Sequence, residues 1–81
     1  SGSVALEIDS PDATSVDVRI FDIRGALVRS LRQGPIAAGV ERLSWDGLGE
    51  QARVLPGGIY FLELSGSGFR DVRKVVLTRS P

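Results

Sequence analysis

Apolar and polar residues alternate with a period of two along most of this chain. Val4, Leu6 and Ile8 interleave with Ala5, Glu7 and Asp9, the pattern of a strand with one face on a core and the other in water. Ser10-Pro11-Asp12 supplies turn chemistry. Val16, Val18 and Ile20 then alternate with Asp17, Arg19 and Phe21. The short polar link between these two strands reads as a hairpin. In IRGALVRSLRQG the period changes: Ile23, Leu27 and Leu31 sit at helical spacing and Val28 widens the stripe. Gly25 interrupts that pattern early and strands flank it, so a twisted edge strand after an Ile-Arg-Gly turn is expected. Gly34-Pro35 and Gly39 mark a loop.

In VERLSWD, Leu43 and Trp45 share one face and Arg42 and Ser44 the other. Arg53-Val54-Leu55 offers a short pairing segment, and Pro56-Gly57-Gly58 a turn. IYFLELSG places Tyr60, Leu62 and Leu64 on one face and Ile59, Phe61 and Glu63 on the other. A strand apolar on nearly both faces belongs in the middle of a sheet. Ser65-Gly66-Ser67-Gly68 is a hairpin turn. The closing FRDVRKVVLTR sets Val75 and Leu77 on one face, Arg79 ends it and Ser80-Pro81 stops it. About seven short antiparallel strands with regularly spaced turns predict an all-β fold, an immunoglobulin-like β-sandwich.

Composition narrows the function classes. With 81 residues the chain makes one domain, residues 1–81, of expected stability roughly 4–12 kcal/mol. Ser1-Gly2-Ser3 reads as a tag or linker remnant, so the piece is expected to be a module of a longer protein. No signal-peptide pattern opens the sequence and no stretch reaches the length of a membrane helix. Ten basic and ten acidic residues cancel, so no net field draws in nucleic acid. Lys74 is the sole lysine, and the arginine excess fits a high-GC coding sequence better than a binding role. The absence of cysteine excludes disulfides and thiolate metal sites, and the absence of histidine removes the commonest general base at neutral pH.

The densest chemistry lies in SWDGLGEQARVLPGGIY, residues 44–60. Gly47-Leu48-Gly49 resembles the start of a dinucleotide loop but has no helix behind it to present amides to phosphate. Asp46 and Glu50 are too few for a calcium loop; Asp46 bonding to amides just downstream, with Arg53 near to neutralise an acid, is the turn reading. Ser44 and Ser65 have no histidine partner. No enzyme, metal or cofactor is expected. Tyr60 sits where a tyrosine corner would, its hydroxyl reaching upstream backbone. Trp45 shares its strand face with Leu43 and is expected in the core; a sugar platform on Trp45 or Tyr60 requires exposed rings. Arg70, Lys74 and Thr78 share the exposed face of the last strand, with Arg73 and Arg79 beside them. Two readings stay open: a solvated edge that blocks aggregation, or a protein-docking edge built on Arg73, Lys74 and Arg79.

Three segments, in this order, resemble one family. VDVRIFDIRGALVRSL resembles the strand–aspartate–glycine opening of FlgD immunoglobulin-like domains, LSWDGLGEQARVLPGGIYFLEL their Trp-Asp-Gly and Gly-x-Tyr core, and GFRDVRKVVLTR their closing strand. That closing pattern is also similar to C-terminal sorting domains of the type IX secretion system. The resemblance spans residues 4–79. It departs at Ala52, where the family often has glycine, and lacks the Pro-Asn-Pro opening of sorting domains. It implies a non-catalytic C-terminal module of a secreted or surface bacterial protein, acting in export or attachment with the export machinery as partner. The alternative is a structural domain beside an enzyme or in a hook-capping assembly. Extracellular or cell-surface placement follows as an expectation.

Overall fold

The computed structural model describes residues 3–78. Among them are six strands: β1 (Val4–Ser10), β2 (Thr14–Asp22), β3 (Leu27–Ile36), β4 (Gly39–Trp45), β5 (Gly58–Gly66) and β6 (Phe69–Leu77). All pairings are antiparallel and form two sheets, β1-β4 and β3-β2-β5-β6. The immunoglobulin-like sandwich is therefore present, with unequal layers. The seventh strand shrinks to a single bridge between Leu48 and Val54.

The expected hairpin between the first two strands does not form. β1 pairs with β4, and the chain crosses from one sheet to the other between β1 and β2. Each strand carries one apolar face, and the crossing sets those faces opposite each other across the core. A side-by-side hairpin would leave both on one layer with nothing above them.

β3 is the expected edge strand, and it explains its own misleading periodicity. Its register with β2 slips twice. Val18 and Arg19 face Arg32 and Ser30, and Ile20 and Phe21 face Arg29 and Leu27. The two extra residues are Leu31 and Val28. Each bulge turns an additional side chain, and both of these pack on the core, three positions apart, which imitates a helix stripe. The strand also runs on through Gly34 and Pro35, where a loop was expected. Proline is tolerated because an edge strand has one side without ladder partners.

The core contains Ile8, Val16, Val18, Ile20, Val28, Ile36, Trp45, Leu55, Tyr60, Leu62 and Leu77. Trp45 is completely buried. Its indole N–H donates to the Leu48 carbonyl at 2.9 Å, and its ring meets Tyr60 edge-on with centroids 5.6 Å apart. The Tyr60 hydroxyl donates to the Pro56 carbonyl at 2.6 Å, so the tyrosine corner is present. Burial of both rings removes the sugar-platform reading.

Two turns carry the backbone constraints. In the β2–β3 turn, Asp22 accepts from the amides of Arg24 (2.9 Å) and Ala26 (3.0 Å), and Gly25 takes φ +85, a conformation glycine adopts without steric cost. In the turn Glu50–Arg53, closed by the Arg53 amide on the Glu50 carbonyl, Gln51 and Ala52 both have positive φ, 60 and 58. That is the type I′ requirement, met here without glycine.

Two stability outcomes follow. Trp45→Ala is expected to cost about 3–5 kcal/mol, the range for truncating a buried aromatic, read from the denaturant midpoint. Ala52→Gly is expected to stabilise by about 0.5–1 kcal/mol, because relief of the left-handed strain exceeds glycine's added unfolded-state entropy. A lower midpoint for Ala52→Gly would contradict the turn geometry.

Candidate functional site

The loop of residues 44–60 is spent on the fold. The Asp46 carboxylate accepts from the Leu48 amide at 3.0 Å and from Arg29 Nη1 at 3.0 Å; the same Arg29 nitrogen donates to the Leu48 carbonyl at 2.9 Å. Glu50 accepts from the Ser30 amide at 3.0 Å. The downstream-amide bond of Asp46 is as expected, but Arg29, not Arg53, is its cation. The Leu48 amide, ahead of Arg29, holds the Asp46 carboxyl below the usual aspartate value.

The outer face of the four-stranded sheet is different. Pairing sets the side chains in rows across it: Phe21, Phe61 and Lys74; Arg19, Glu63 and Val72; Ser65 and Arg70; Ile59 and Val76. Ile59, Val72 and Val76 are exposed, at 42, 43 and 58%. Ile59 and Val76 are cross-strand neighbours, and exposed apolar side chains grouped in this way are a feature of interaction surfaces.

At its centre lies Glu63, buried to 6% exposure. Arg19 Nη2 bonds it from the neighbouring strand at 2.8 Å, and Arg70 Nε bonds its other oxygen at 2.6 Å. Arg70's bond, with Arg19's behind it, holds the Glu63 carboxyl below the usual glutamate value, against burial that pushes it up. The Arg19 guanidinium also lies 5.6 Å from the Phe21 ring centroid, and its Nε is buried without an acceptor. The cluster pins three strands and presents cations beside apolar side chains. Its pieces were visible in the sequence as one-face residues, but only the register of β2, β5 and β6 brings them together.

The three residues expected to dock a partner separate. Lys74 stands opposite Phe61 on the outer face, and among the described residues it has no ion-pair partner. Arg73 stands opposite the core residue Leu62, on the inner face, and pairs with Asp71 at 3.2 Å. Arg79 lies outside the described residues. Among the described residues, no helix is long and apolar enough to cross a membrane.

A family model described as the FlgD Ig-like domain matches residues 1–68. The chain belongs to the FlgD Ig-like domain family. As such it is a structural and interaction module. The solved structure of FlgD from P. aeruginosa matches with a TM-score of 0.65 at 24% identity, covering 93% of this chain and 60% of that one. That likeness supports the fold, and this chain spans less than two thirds of the length of that solved chain. No curated protein matches the chain. The family match ends before β6 begins at Phe69, so the similarity of the closing strand to sorting domains rests on its sequence pattern alone.

Glu63 leads to a test. Its folded value is lowered, so its stabilising contribution is complete above the ordinary glutamate value of 4.5 and fades as pH falls through the lower folded value. Glu63→Gln is expected to be less stable than the parent at pH 7, with the gap closing towards pH 3, as measured by denaturant titration at both pH values. An equal gap at both would show that the charge on Glu63 contributes nothing.

Proposed function

We propose that this domain is a non-catalytic assembly module within a larger bacterial protein, held outside the cytoplasm or on the cell surface. It docks another protein through the outer face of β3-β2-β5-β6. The observation that carries this reading is the outer face itself. Exposed Val72 stands opposite a buried, doubly bonded carboxylate that ties three strands together, and the exposed pair Ile59 and Val76 lies further along the same face. Rigid surfaces bind with less ordering cost. The reading draws on FlgD, whose domain of this type is a part of hook-capping proteins.

A second reading is an export or sorting module recognised by a secretion machine. It is favoured by one observation, the GFRDVRKVVLTR pattern of the closing strand, most of which forms β6.

The experiment substitutes the exposed pair Ile59→Asp and Val76→Asp in the full-length parent protein. Under the assembly reading, cellular level and thermal midpoint stay near wild type while the parent disappears from cross-linked complexes. Normal complex recovery, or intact assembly after removal of the whole domain, would refute it. For the second reading, residues 1–81 are fused to a reporter in a host with the type IX system. Retention in the periplasm, also with the upstream segment restored, discards sorting.

A further inference from the structure

The two sides of the sandwich are finished differently. On the β3/β4 side, Arg32 Nη1 bonds Glu41 at 2.8 Å and Arg29 reaches Asp46, latching one sheet to the other. The β3 edge itself is broken by two bulges and Pro35, and the Glu50 carboxylate occupies the Ser30 amide. These are the devices that stop an edge from pairing.

The β1/β6 side is finished with charged side chains instead. β6 pairs with β5 over nine residues without a register shift and carries no proline. Among the described residues no ion pair joins β6 to β1. Between them runs a cleft of about 300 Å³, lined by apolar side chains such as Leu6, Leu62 and Val75 and by the charged Glu7, Asp71 and Arg73. β6 is therefore a long, regular edge, free of bulges and proline, beside a cleft that mixes apolar and charged side chains.

Its side chains carry a charge pattern as well. The outer row reads Arg70, Val72, Lys74, Val76, cation and apolar in alternation. Among the described residues Glu63 is the one carboxylate bonded to this row and is shared between Arg19 and Arg70, and Lys74 has no ion-pair partner. On the inner row Asp71 and Arg73 cancel each other.

We infer that β6 accepts an extended acidic segment of a partner protein as an added strand. The segment's outward side chains alternate acidic and apolar, meeting Arg70 and Lys74 with carboxylates and Val72 and Val76 with apolar groups. Its inward side chains are small and apolar and close the cleft over β1. Backbone ladder bonds supply affinity and the alternating row supplies selectivity. This deepens the docking role proposed above and names the partner's chemistry.

The test uses the 81-residue chain and a synthetic peptide of about nine residues, the length of an ordinary strand. The peptide alternates Asp and Val on one face, with Ala at the interleaved positions. Amide NMR titration should shift resonances of β6 and its cleft, and hydrogen exchange should slow at β6 amides. Added salt should weaken binding. Lys74→Glu, at an exposed site, should weaken it about fivefold, the scale of one reversed cross-strand pair. A peptide with Lys in place of Asp, or one N-methylated along one edge, should not bind. Binding that survives N-methylation and maps to Phe21 and Phe61 overturns strand addition. Protection of β6 without peptide, rising with protein concentration, would make a second copy the occupant and also overturns it. Absence of binding refutes the edge inference alone, because the Ile59/Val76 experiment reads the docking role separately.

Discussion

The fold depends on how one indole is held. Trp45 ends β4 with no solvent exposure, and burying so large a ring leaves its N–H in need of an acceptor. The Leu48 carbonyl provides it, which forces the chain to turn back at once after the strand. The same carbonyl is gripped by Arg29 from the opposite sheet. Tyr60 completes the arrangement: its ring abuts the indole and its hydroxyl holds Pro56, the last bend before β5. One buried aromatic thus sets the path of the connection between β4 and β5 and joins the two sheets.

This is why the most conspicuous stretch of sequence proved structural. Its acids and glycines are the residue types used by ligand loops, and the same types are needed to bend a chain tightly around a tryptophan. Asp46 and Glu50 find amides and Arg29 within the molecule. Strands with regular alternation, β2, β5 and the core-facing end of β6, could be read directly from sequence, as could the burial of Trp45 and the hydroxyl bond of Tyr60. Local pattern carries that information because each face meets one environment along the whole strand.

Other features were hidden for identifiable reasons. The bulges of β3 convert a period of two into something like a helix stripe. The pairing of β1 with β4 instead of β2 is a long-range choice, since a three-residue link permits either a hairpin or a crossing. The outer-face cluster combines Arg19, Glu63 and Arg70, which lie 44 and 7 positions apart. Only register makes them neighbours. Lys74 and Arg73 show the same limit in reverse: adjacent in sequence, they occupy opposite faces of the sheet.

The unequal edges of the larger sheet have a consequence for valence. A sheet whose two edges are both regular can be extended at each, and repeated extension produces a fibre. Here β3 is bulged, interrupted by proline and occupied by a carboxylate, while β6 has neither bulge nor proline. Extension of this sheet is thereby confined to its β6 side. Such a unit can end a row of strands or link two proteins once, and it has no means of handing the pairing on through its own far edge.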